Sequence, residues 1–151
     1  MYGGPVLKGL VIDYVGVLTD AGADELYAFL RSARERGIKT ALLSNAPGAS
    51  DEAKRTLDPF FDALVFSGEV GVAKPEREVY LLTAGLLDLP AERCVFVDDA
   101  AHNVRAAVAA GMAGVHHTSV EETLTELSAL FPTPWRGAPA RTRAPRRPPR
   151  R

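Results

Sequence analysis

Leu10-Val11-Ile12-Asp13-Tyr14-Val15-Gly16-Val17-Leu18-Thr19-Asp20 carries the reading on which the fold turns. The apolar, β-branched run that reaches Asp13 reads as a buried strand, Val6–Asp13, ending on a carboxylate. From Asp24 to Arg36 the period changes, and Leu26, Phe29, Leu30 and Ala33 fall on one helical face. The same alternation continues outward. Apolar runs at Lys39–Ser44, Ala63–Ser67, Cys94–Val97 and Gly114–His117 read as strands. Helical patterns follow at Pro75–Leu87, which opens with proline and acidic residues, at Ala101–Ala110, which stops before Gly111, and at Val120–Leu130. Residues 50–58 add a short helix. Strands alternating with helices imply an α/β fold: a three-layer, Rossmann-like parallel sheet covered on both faces. Such sheets bind ligands beyond the carboxyl ends of their strands, near the topological switch point.

The 151 residues suffice for one ordinary domain. Hydrophobic residues make up 46% and charged residues 25%, a globular profile. The formal net charge of −1 hides a split. Residues 1–135 hold 11 basic and 19 acidic groups, net −8, whereas residues 136–151 hold seven arginines. The expected organisation is a core over residues 1–131 and a Pro/Arg-rich tail over 132–151, whose composition cannot form a core and is expected to be disordered. The tail has a lone aromatic, Trp135, and no folded module around it, so it is not read as binding nucleic acid. One cysteine, Cys94, excludes an internal disulfide and a cysteine zinc site, and its flanks make it a core thiol. No apolar run approaches the ~18–20 residues of a membrane span, and Met1–Pro5 lacks the basic region of a signal peptide. The expectation is a cytoplasmic protein with no membrane partner.

The strand ends carry the chemistry. Asp13 ends the first, Ser44-Asn45 the second and Asp98-Asp99 the fourth, while Lys74-Pro75 follows the loop Gly68–Gly71 and opens a helix. Singly, each is ordinary: a strand-end Asp is often a helix cap, and Ser-Asn suits a turn. Together they bring three carboxylates, a hydroxyl and a lysine to one edge. Clustered carboxylates raise one another's pKa unless a cation neutralises them. Magnesium suits such a set, because it takes one or two carboxylates and leaves room for phosphate.

In these residues the sequence resembles the haloacid dehalogenase-like (HAD) hydrolase superfamily. Asp13–Asp20, Leu43-Ser44-Asn45, Gly71–Pro75 and Val95–Asp99 match its four motifs in order, within residues 6–118. The resemblance implies that Asp13 is a nucleophile forming an aspartyl-phosphate. It implies that Ser44, with Asn45 nearby, binds the phosphoryl oxygens, and that Lys74 offsets charge on Asp13 and on the phosphoryl group. Magnesium would be held by Asp13, Asp99 and the backbone carbonyl of Val15, with Asp98 ligating directly or through water. The implied activity is a phosphatase or phosphoryl transfer, on a phosphorylated substrate.

Two departures from the family pattern matter. Phosphatases of the family usually carry a second Asp two residues after the nucleophile, where this chain has Val15. That Asp protonates the leaving oxygen and activates the water, help worth ~10²–10⁴-fold. Its loss is compatible with transfer from a good leaving group, such as a sugar 1-phosphate or an acyl phosphate. Haloacid dehalogenases also lack this Asp, but they lack the acidic fourth motif as well, so Asp98-Asp99 speaks against that chemistry. The motif is nearer to a phosphatase-like branch that reads Asp-Tyr-Gly-Gly-Val-Leu. The second departure is size. The 25 residues from Thr19 to Ser44 and the 30 from Ser44 to Lys74 leave no room for a cap domain. The site should be open, which suits a large or macromolecular substrate. The alternative reading is a catalytically impaired HAD-fold protein that binds phosphate and magnesium in a regulatory role.

Among the remaining residues, Asn103 is placed to support the metal's water shell and His102 to touch a substrate. His116-His117 reads as a turn-facing pair, and Arg31, Arg34, Arg36 and Lys39 as a solvated helix end.

Overall fold

The structure is a computed structural model that describes residues 5–133. Five parallel strands form one sheet: β1 (Gly9–Ile12), β2 (Lys39–Ser44), β3 (Ala63–Phe66), β4 (Cys94–Asp98) and β5 (Ala113–His116), in the order β3-β2-β1-β4-β5. The helices are α1 (Asp24–Glu35), α2 (Asp51–Leu57), α3 (Ser67–Val70), α4 (Arg77–Leu86), α5 (Ala101–Ala109) and α6 (Val120–Leu130). The expected α/β class and all five strands are present. The first strand is shorter than its apolar run, starting at Gly9, and the helix expected from Pro75 starts at Arg77. The single turn α3 had no periodic signal, since four residues are too few to show one.

Alternation along each strand divides the core in two. Leu10 and Ile12 of β1 face a cluster that includes Leu26 and Leu30 of α1, Leu57 of α2 and Leu127 of α6. Val11, Ala41, Leu43, Val65 and Phe96 face the other cluster, with Val79 and Tyr80 of α4 and Ala107 of α5. The strands are therefore apolar on both faces, as burial on both sides requires. Short links position the helices. Ser50 and Ser119 cap α2 and α6 by accepting from the N–H groups of Ala53 and Glu122. The N-terminus of α6 holds Glu121 and Glu122, and that of α1 holds Asp24 and Glu25, which suits the positive ends of helix dipoles.

Neither connection where a cap would enter contains an inserted domain. Thr19 to Ser44 is filled by α1 and β2, and Ser44 to Lys74 by α2, β3 and α3. No helix among the described residues is long and apolar enough to cross a membrane. The expected tail falls mostly outside the described residues, with Trp135 and the seven terminal arginines.

Cys94 begins β4, where burial raises its thiol pKa to about 11. A protonated, enclosed thiol is a poor nucleophile. Native protein at pH 8 should therefore resist Ellman's reagent over the time in which urea-unfolded protein reacts fully. Rapid titration of the folded chain would contradict this placement.

Candidate active site

The parallel register builds the site. Ile12 of β1 is level with Val97 of β4, and the Asp13 N–H donates to the Val97 carbonyl at 3.0 Å. Asp13 and Asp98 therefore leave adjacent strands at the same height. They flank the point where strand order reverses, the expected crevice of such a sheet.

The Lys74 ammonium lies between the two carboxylates. It donates to Asp13 Oδ1 at 2.7 Å and to Asp98 Oδ2 at 2.9 Å. Asp13, Lys74 and Asp98 are 7%, 6% and 1% exposed, so the three charges are shielded from bulk water. Asn45 brings the lysine there. Its side-chain oxygen accepts from the Lys74 N–H and its amide nitrogen donates to the Lys74 carbonyl, both at 3.0 Å. Both ends of this amide thus engage the loop backbone. Ser44 is buried at the end of β2, one step beyond the level of Asp13.

The adjacent residues Asp98 and Asp99 occupy different environments. Asp98 Oδ1 accepts from the Ala100 N–H at 2.9 Å, and Oδ2 accepts from both Lys74 and the Asn103 amide, the latter at 3.1 Å. The Asn103 carbonyl in turn accepts from the buried Tyr80 hydroxyl at 2.9 Å. Burial alone would raise the Asp98 pKa, but the Ala100 N–H, Lys74 and Asn103 outweigh it and hold the carboxyl below its ordinary value. Asp13 goes the other way. Burial pushes it up to about 6 against the pull of Lys74, and the charge of Asp98 adds to the rise. Asp99 is exposed, and its carboxylate has no hydrogen-bond partner among the described residues.

One carboxylate oxygen from each of Asp13, Asp98 and Asp99 lies within 4.8 Å of the others. Gly16 makes room for the third. It has φ +90°, and a Cβ there would clash with the Asp99 carboxylate. Hard oxygen donors, one of them unpartnered, in a recess that a side chain would fill, are a fitting set for magnesium. Val15, just before that glycine, is extended (φ −70°, ψ 128°) and 68% exposed. The Gly16 N–H donates to Thr19 Oγ1 at 2.9 Å and closes this turn.

A family model described as haloacid dehalogenase-like hydrolase matches residues 5–111. The chain belongs to this family. Among curated relatives, the chain is 32% identical over 106 residues to a sesquiterpene phosphatase of Aspergillus oryzae, covering 68% of this chain and 54% of that one. It is 34% identical over 113 residues to a phosphorylated carbohydrates phosphatase of Thermotoga maritima, covering 73% and 50%. The chain thus spans about half the length of these relatives. A solved structure of an uncharacterized protein from Corynebacterium glutamicum is 38% identical, with TM-score 0.77, covering 83% of this chain and 95% of that one.

Beyond the HAD motifs, the structure places a histidine that sequence reasoning put on the surface. Of the expected turn-facing pair, His116 is exposed, with Nε2 3.0 Å from the Asp99 carbonyl. His117 is 4% exposed. Its Nε2 lies 2.7 Å from Asp20 Oδ2 and its Nδ1 2.7 Å from Thr123 Oγ1. The imidazole thus ties the end of the first motif to α6. A local pattern could not show this, because Asp20 lies 97 residues away in sequence. Arg34, expected in solvent, donates to the Pro59 carbonyl at 2.8 Å and pairs with Asp62 at 2.9 Å.

Two substitutions test these contacts. Lys74→Met leaves two buried carboxylates without their counter-charge, so urea unfolding in EDTA should show a loss of about 3–5 kcal/mol. Thr123→Val keeps the shape but orphans one nitrogen of His117, and should cost about 1–3 kcal/mol in the same measurement. A Lys74→Met protein as stable as the parent would contradict the shared ion pair.

Proposed function

We propose that this chain is a magnesium-dependent phosphatase of the HAD-like family, working through an aspartyl-phosphate on Asp13. The observation that carries the reading is the single ammonium of Lys74 held between Asp13 and Asp98, with the unpartnered Asp99 carboxylate beside them. Two relatives named as phosphatases support it.

Lys74 holds Asp13 Oδ1, which orients the carboxylate and leaves its other oxygen to attack phosphorus. Nucleophilic catalysis splits one hard displacement into two easier ones. Ser44 and Lys74 bind the phosphoryl oxygens, and Asn45 serves by fixing the lysine's backbone. Asp13, Asp99 and the Val15 carbonyl would hold magnesium, with Asp98 ligating directly or through water. Bound there, the ion supplies positive charge for the phosphoryl oxygens as they become more negative. The Ala100 N–H, Lys74 and Asn103 together keep Asp98 ionised. The preformed charges need little reorganisation during the reaction.

Val15 supplies no proton to the leaving oxygen and no base for the attacking water. Both half-reactions therefore lack the ~10²–10⁴-fold help of a general acid–base. This favours a second reading, a protein that binds phosphate and magnesium with little turnover. The two make different predictions for acetyl phosphate, which needs no proton donor. The catalytic reading expects magnesium-dependent release of phosphate that Asp13→Asn abolishes, with an acid-quenched phosphoenzyme detectable by mass. Val15→Asp should raise turnover of alkyl phosphates by roughly 10²–10⁴-fold. Activity that survives Asp13→Asn, or that persists in EDTA, would refute the mechanism. Phosphate binding without turnover would establish the second reading.

A further inference from the structure

We infer that a groove between α1 and α2, beside Asp13, receives the leaving group of an aryl phosphate monoester. This rests on the phosphatase reading and names its substrate class.

The groove begins at Tyr14, the residue after the nucleophile, and at Ser50, the cap of the helix that follows β2. Its first part is a cavity of about 320 Å³ bounded by Tyr14, Tyr27, Thr56 and Leu57. A second cavity of about 500 Å³ shares Tyr27, Thr56 and Leu57 and ends at Phe60. The two therefore adjoin, and Tyr14 lines only the first. Three of the residues that line them are aromatic, Tyr14, Tyr27 and Phe60, set among aliphatic and charged neighbours. The Tyr27 and Phe60 rings meet edge-to-face, with centroids 4.8 Å apart and planes at 63°. The Arg31 guanidinium lies 5.0 Å from the Phe60 centroid. Such surfaces favour a flat ring, which can pack against the edges and faces of its neighbours.

The chemistry of the site selects the same class independently. Val15 is 68% exposed where a proton donor would act, so the departing oxygen must be stable as an anion. A phenol ionises near pH 10, about six units below water. An aryloxide can leave unprotonated where an alkoxide cannot. An acyl phosphate would also leave readily, but a small acyl group would leave the aromatic groove empty. Asp24 lines one cavity and Glu52 the other, and their charges oppose further phosphate groups on the substrate, which selects a monophosphate.

The steps balance without an added reagent. An Asp13 carboxylate oxygen bonds to phosphorus as the phosphorus–oxygen bond to the aryl group breaks. The electron pair departs on the aryloxide, which takes its proton from solvent. Water then attacks the phosphorus of the aspartyl-phosphate, the carboxylate leaves with its electron pair, and the water's proton passes to solvent or to a phosphoryl oxygen.

Binding can be measured apart from turnover, with phenylphosphonate and methylphosphonate titrated calorimetrically into the full chain in magnesium. Phenylphosphonate should bind at least tenfold more tightly. Thr56→Trp adds bulk in the groove from an exposed position whose hydroxyl bonds only the Glu52 carbonyl of its own helix. It should lower the ratio of the two affinities at least tenfold, and Tyr27→Ala, which removes one wall, should lower it as well. Equal affinities in the parent, or a ratio unchanged in both variants, would overturn the groove assignment. Selective aryl binding with no turnover of phenyl or acetyl phosphate would uphold the groove and refute the catalytic role of Asp13. Turnover of acetyl phosphate without aryl selectivity would do the reverse. Failure of both phosphonates to bind would refute both.

Discussion

The Lys74 ammonium, shared by Asp13 and Asp98, is the constraint on which the site depends. Two carboxylates are buried at adjacent strand ends, and enclosing charge in this way costs several kcal/mol per ion unless it is paired and hydrogen-bonded. The lysine can meet both only because three separate features agree. The β1–β4 register puts the acids at one height. The Asn45 amide fixes the lysine's backbone from the neighbouring strand end. Asn103, held through its carbonyl by Tyr80, fills the remaining position on Asp98. The helices on the α4–α5 face thus support the ion pair as well as the core.

This arrangement divides work between neighbours. Asp98 faces inward and is saturated by donors, whereas Asp99 faces the mouth and is not. A single peptide step separates a carboxylate saturated by donors from one without a hydrogen-bond partner among the described residues. Gly16 is tied to that division, because its left-handed backbone and missing side chain give Asp99 its place. The same turn exposes Val15. Among the described residues the short connections insert no domain beside this edge.

Much of this was legible in the chain. Strands buried on both faces give continuous apolar runs, and the polar residue that ends such a run must emerge at the sheet edge. This is why Asp13, Ser44 and Asp98-Asp99 could be named from sequence, and why Lys39–Ser44 and Val120–Leu130 match their elements at both ends. Other features had no local signature. His117 looks like a turn residue until α6 and the Asp20 turn close over it. The bond of Asn45 to the Lys74 backbone, 29 positions away, has no local signal either.

The sequence by itself determined the fold class, the family and the residues gathered at one edge, because apolar periodicity and motif order are local properties of the chain. Only the tertiary structure decided how those residues differ from one another. Which carboxylate is buried, which is free and where the lysine points all follow from contacts between distant segments. Electrostatic energy depends on distance and burial, and neither is written in the order of the residues.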